Sequence, residues 1–171
     1  MAIIIEPAQF PKDADAVHNL FTLYAKSLGV DLTYQNFQEE LDSLPGKYSE
    51  SQGGALLIAR SDTPTSNNDS TPKAIGCVAL RRNTSTWCEM KRLYVVAGAR
   101  GTRLGEKLVE AILVRAKELG YRGIRLDTLA DMRAAQQLYR KYGFVEIEGY
   151  YDTPVEGTIF MGCEFGATTT Q

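Results

Sequence analysis

The sequence predicts an α/β fold with a mixed, mainly antiparallel central sheet flanked by helices, in the order β-α-α-β-β-β-α-β-α-β-β. Three observations carry that prediction. Two stretches, 17–28 and 104–119, repeat apolar residues at helical spacing. Three short runs, 55–60, 75–82 and 87–96, read as strands with no helix between them, so hairpins join them. The last of these passes through a small-residue loop and a helix into another strand at 123–128. Mixing hairpins with a strand–helix–strand crossover excludes a purely parallel, doubly wound sheet.

The elements follow in order. Residues 2–6 are β-branched and closed by Pro7, which makes a short first strand. Val17, Leu20, Phe21, Tyr24 and Leu28 fall on one helical face, with Asp13 and Asp15 in the first turn and Gly29 just past the end. A second helix is predicted over 34–44, with the Thr33 hydroxyl as its cap and Pro45-Gly46 as its stop. Between the strands at 55–60 and 75–82 lies a Ser, Thr, Asn, Asp and Pro-rich stretch, read as a flexible hairpin loop over 62–73. The helix at 104–119 is apolar over a broad arc and should be mostly covered. The segment 132–142 forms a helix with Ala135, Leu138, Tyr139 and Tyr142 inward and Gly143 as its stop, and strands at 144–147 and 158–165 complete the sheet. The tail from 166 to 171 is small and polar and should fray.

The chain of 171 residues fits one domain spanning 1–171. Nineteen Lys and Arg against 21 Asp and Glu give a net charge of −2, so no overall basic field recruits nucleic acid or anionic lipid. The longest apolar stretches fall far short of the roughly 20 residues of a membrane span. Met1-Ala2-Ile3-Ile4-Ile5 runs straight into Glu6-Pro7 without the pattern of a secretory leader, and a cytoplasmic location is expected. Cys77, Cys88 and Cys163 are widely spaced and odd in number, which argues against disulfides and against a zinc site; buried, reduced thiols are expected and no metal.

Chemistry concentrates in Leu93-Tyr94-Val95-Val96-Ala97-Gly98-Ala99-Arg100-Gly101-Thr102-Arg103-Leu104-Gly105, a strand passing through a glycine-containing basic loop into a helix. The first backbone N–H groups of a helix lack partners, the macrodipole adds positive charge, and glycine lets a phosphate approach closely. Arg100 and Arg103 add full charges. Neither G-x-x-x-x-G-K-[ST] nor a strand-borne G-x-G-x-x-G is present. The competing reading is a tight turn with solvated arginines. No G-x-S-x-G accompanies His18, the one histidine, which reads as a helix-surface residue; Cys88 has no histidine near it in sequence to activate it.

The segment resembles the GCN5-related N-acetyltransferases, whose Arg/Gln-x-x-Gly-x-Gly/Ala loop holds the pyrophosphate of acetyl-CoA. Arg100-Gly101-Thr102-Arg103-Leu104-Gly105 occupies that place, and the resemblance continues in Cys88-Glu89-Met90-Lys91-Arg92, Arg125-Leu126-Asp127-Thr128 and Ala135-Gln136-Gln137-Leu138-Tyr139-Arg140-Lys141-Tyr142-Gly143-Phe144. Two departures stand out: Arg103 replaces the usual glycine, and Met132 replaces an asparagine common in the family. The resemblance implies an acyl-CoA N-acyltransferase fold, acetyl-CoA as cofactor, and direct acetyl transfer to an amine. It implies cofactor contacts from Leu93, Tyr94, Val95, Arg100, Gly101, Thr102, Arg103, Leu104, Gly105, Met132 and Tyr139.

It also implies Glu89 as general base, since an alkyl amine is protonated at neutral pH and must lose a proton before attack. The competing reading of Glu89 is a solvent-facing carboxylate paired with Lys91 or Arg92. Tyr139 is implied as the acid that serves the departing thiolate, and Tyr24, Tyr150 and Tyr151 as acceptor contacts. A small-molecule amine is preferred over a protein lysine or N-terminus as acceptor; a non-catalytic acyl-CoA sensor or scaffold is the rival of another class. Relatives that pair through edge strands make a homodimer possible.

Overall fold

The computed structural model describes residues 2–62 and 72–166. Seven strands form one sheet: β1 (Ile3–Pro7), β2 (Ala55–Ser61), β3 (Lys73–Arg82), β4 (Trp87–Val95), β5 (Gly123–Thr128), β6 (Val145–Ile147) and β7 (Ile159–Glu164), in the spatial order β1-β2-β3-β4-β5-β7-β6. Every neighbouring pair is antiparallel except β4 and β5. The helices are α1 (Ala14–Leu28), α2 (Phe37–Asp42), α3 (Leu104–Glu118) and α4 (Arg133–Lys141). Element order and mixed pairing are those predicted. Most of the 62–73 loop, 63–71, and the tail beyond 166 lie outside the described residues.

Period-two alternation divides the strands between two layers. Leu57 and Ala59 of β2, Val78 and Leu80 of β3, and Cys88 and Met90 of β4 join Leu104, Leu108, Ile112 and Ala116 of α3. Leu56, Ile58, Cys77 and Ala79 point the other way, onto Val17, Leu20 and Phe21 of α1 and onto Leu41 and Tyr48. The α1 stripe read from the sequence is therefore its buried face, and Gly29 ends the helix in the left-handed region at φ 67°.

The predicted helix over 34–44 is broken in two. A 3-10 turn covers Thr33–Gln35, and α2 begins only after Asn36, which stands at φ 55°. Asparagine tolerates that conformation through its short polar side chain. The Thr33 hydroxyl does not cap the helix but donates to Asp31, whose carboxylate also accepts the Thr33 N–H. The helix at 132–142 is shorter than predicted, and its most buried residues are Gln136 and Tyr139; the Gln136 amide donates to the Leu129 carbonyl at 2.9 Å. Cys77 and Cys88 are buried as expected, whereas Cys163 is only half-buried. His18 is exposed on α1. No helix among the described residues is long and apolar enough to cross a membrane.

Candidate active site

The site grows from a defect in the sheet. β4 and β5 pair only over Trp87–Glu89 and Gly123–Arg125, yet β4 continues to Val95 and β5 to Thr128. Beyond Glu89 the strands part and leave a slot that secondary-structure bonds do not fill. On its other edge β4 carries an extra residue: Cys77 opposes Tyr94 while Ala79 opposes Lys91. This bulge falls at Arg92, whose φ of 61° is rare for a residue with a side chain.

Arg92 holds that backbone in place. Its fully buried guanidinium donates to Glu40 at 2.8 Å and to Gln35 at 3.0 Å, and lies over the rings of Tyr24 and Phe37. The bulge is thereby tied to α1, α2 and the turn that precedes α2.

Leu93 of β4, Leu126, Asp127 and Thr128 of β5, Met132 and Tyr139 line the slot, which Tyr24 and Gln35 close from the α1 side. Its volume is about 50 Å³. Thr128 Oγ1 is buried there with no hydrogen-bond partner among the described residues, an orphan that a bound polar chain can satisfy. Burial pushes the Tyr139 phenol above its ordinary value, so it keeps its proton throughout the neutral range.

At the far end of β4 the 100–105 loop enters α3. Thr102 Oγ1 donates to the Ala99 carbonyl at 2.6 Å and Arg100 Nε to the Val95 carbonyl at 3.4 Å, which fixes the loop on the strand end. Gly101 takes φ 84°, and Arg103, where the resemblance places glycine, also stands in the left-handed region at φ 62°. Arg103 is the residue before the helix, and its side chain makes no capping bond. The loop backbone thus keeps the shape that favours glycine while carrying an exposed guanidinium.

Glu89 is not solvent-facing, and it pairs with neither Lys91 nor Arg92. It is 2% exposed; Arg81 Nε reaches one oxygen at 2.9 Å and the Tyr150 hydroxyl donates to the other at 2.5 Å. Strand pairing explains the choice, because Arg81 on β3 lies directly opposite Glu89. Beside this pair Tyr151 donates to Asp127, and Tyr150, Tyr151 and Phe160 pack edge to face. Burial, and then the Glu89 charge, hold Tyr150 well above the usual phenol range, which leaves it a proton donor to Glu89.

A second cavity of about 430 Å³ opens beside the slot, lined by Glu39, Glu40, Lys47, Arg81, Tyr151 and Asp152. Gln35 and Lys91 border both spaces and mark where they meet. Glu89 itself is among the lining of neither; Arg81 and Tyr150 stand on it. Of the sequence-predicted residues, Leu93, Met132, Tyr139 and Tyr24 meet in the slot, Tyr151 lines the chamber, and Tyr150 holds Glu89. Lys91, Asp127, Thr128 and Gln35 were not foreseen as site residues; Lys91, Asp127 and Thr128 lie within quoted motifs, the signal that pointed near them, and Gln35 lies in none.

A family model of the acetyltransferase (GNAT) domain matches residues 53–146. An uncharacterized N-acetyltransferase of Schizosaccharomyces pombe is 37% identical over 163 residues, 95% of this chain and 94% of its own. Among solved structures, a GNAT-family acetyltransferase of Staphylococcus aureus superposes with a TM-score of 0.73 at 23% identity, over 95% of this chain and 99% of its own. The PaiA N-acetyltransferase of Thermoplasma acidophilum, in complex with coenzyme A, does so with a TM-score of 0.71 at 16% identity, over 96% and 100%.

Proposed function

The chain belongs to the GNAT acetyltransferase family, and from that premise we propose that it transfers an acetyl group from acetyl-CoA to the amine of a small molecule. The observation that carries this reading is the slot between the parting strands β4 and β5, lined by Leu93, Met132 and Tyr139 and sharing Gln35 and Lys91 with a chamber. The orphaned Thr128 hydroxyl and the open N-terminus of α3 behind Arg100 and Arg103 fit a thioester arm and its phosphates. In this reading Leu93, Tyr94, Val95 and Met132 flank the arm, while Arg100 and Arg103 and the backbone from Gly101 to Gly105 hold the phosphates.

When bound, acetyl-CoA supplies an acetyl thioester whose C–S bond breaks as the acceptor nitrogen forms an amide. Glu89 receives the acceptor's proton; because Arg81 and Tyr150 stand on it, the proton travels through water or the Tyr150 hydroxyl. Tyr139, protonated and facing the slot, donates to the departing sulfur. No enzyme-bound covalent species is needed. A second assignment of the proton acceptor rests on Asp127, which does line the slot.

The test is release of free CoA thiol from acetyl-CoA across a panel of small amines, with Glu89→Gln and Asp127→Asn beside the wild-type chain. Amine-dependent release that Glu89→Gln abolishes supports the reading. If Asp127→Asn alone abolishes release, the base is Asp127. Acetyl-CoA binding with no turnover of any amine would make the chain a sensor or scaffold.

A further inference from the structure

We propose that the acceptor is an α-amino carboxylate of the amino-acid class, its carboxylate received by the Lys91 ammonium at the junction of slot and chamber. This rests on the acetyl-transfer reading and adds the chemistry of the acceptor to it.

Lys91 is 5% exposed and borders both spaces. Among the described residues it donates to Gln35 Oε1 at 3.1 Å, an oxygen that Arg92 shares. No carboxylate lies within 4.0 Å of its nitrogen among the described residues, where the ion pairs are made by other groups. The carboxylates around it are already engaged: Glu89 by Arg81 and Tyr150, Asp127 by Tyr151, Glu40 by Arg92 and Tyr48. Arg81 and Arg92 add like charge from the neighbouring strand and the bulge. An ammonium has three donors, and two here have no partner among the described residues. Burial lowers the pKa of this amine from its ordinary value, against the opposing charges of Glu89 and Asp127, and an anion arriving with a ligand favours the charged form.

The phosphates of the cofactor cannot be that anion. Their loop lies past the end of β4, and the four residues from Lys91 to Val95 span about 13 Å of strand. The anion must enter from the chamber, with the acceptor. At the junction a carboxylate on Lys91 places an amine one carbon away beside the end of the slot, where the transfer occurs. The rest of the 430 Å³ chamber is left for the acceptor's side chain, with Lys47, Glu39 and Asp152 around it.

The test compares matched triplets, an L-amino acid, its primary amide and its decarboxylated amine, by CoA release from acetyl-CoA. We expect kcat/KM for the acids to exceed that for the amides at least tenfold. Lys91→Met should bring this ratio towards one, chiefly through KM of the acid, and Lys91→Arg should retain part of the preference. Equal turnover of acids and amides by the wild-type chain overturns the proposal, as does a Lys91→Met loss that is the same for all three. Should Lys91→Met fail to fold, the wild-type ratio decides, together with inhibition by simple carboxylates, expected to compete with the amine and not with acetyl-CoA. A parallel titration separates the two levels. Failure to bind acetyl-CoA retires the transferase reading and this one with it; binding with no preference for acids, or with no acid turned over, retires this one alone.

Discussion

The two faces of β4 are built from opposite materials. Cys88 and Met90 turn into the layer beneath α3, among Leu80, Leu108, Ile112, Ile124 and Leu126. Glu89 and Lys91, the residues between and after them, turn to the other side, where buried Arg92 and half-buried Arg81, Asp127 and Glu40 gather a set of charges. One strand thus supplies fold stability and chemistry from alternate residues. The α3 face is chiefly apolar, while on the charged face Lys91 and Arg125 have no carboxylate partner within 4.0 Å among the described residues.

Breaking either face should have distinct consequences. On the charged face, Glu89→Gln should lower kcat by about a hundredfold or more, with acetyl-CoA affinity nearly unchanged, as steady-state rates beside calorimetry will show. On the α3 face, Ile112→Ala removes a fully buried side chain and should cost about 2–5 kcal/mol of stability, read from the denaturation midpoint, while the surviving folded fraction retains its rate.

Alkaline pH should loosen both faces, since each buries a thiol. Burial pushes Cys77 and Cys88 up to about 12 from an ordinary 9.0. The native chain then holds protons that the unfolded chain sheds, so the stabilisation is whole below pH 9 and declines as pH rises towards 12, by up to ~1.4 kcal/mol per thiol per pH unit. Unfolding curves at pH 8 and pH 10.5 measure this. The smallest effect belongs to the loop: Arg103→Gly relieves a side chain at φ 62° and should stabilise by about 1 kcal/mol, while acetyl-CoA affinity falls a few-fold through loss of the guanidinium.

These contrasts also explain what the sequence disclosed. Helical periodicity marked α1 and α3, and the hairpin runs marked β2 to β4, because apolar burial imposes a period that needs no knowledge of partners. The break at Asn36 carried no such mark: a left-handed asparagine looks like any polar helix residue until the turn before it is seen. The charged cluster was hidden for a different reason. Glu89 was legible as a candidate general base, but its partners and the role of Lys91 were not, because the groups that cover them, Gln35 and Tyr150, lie 56 and 61 residues away. Strand divergence after Glu89 is likewise a pairing property, with no local signature.

The most direct test of the account is calorimetric titration of the purified chain with acetyl-CoA, with ATP as the control anion. The slot between β4 and β5, with the 100–105 loop behind it, predicts saturable binding of one acetyl-CoA per chain and none of comparable strength by ATP. Absence of acetyl-CoA binding to a folded sample, or equal binding of ATP, would contradict it.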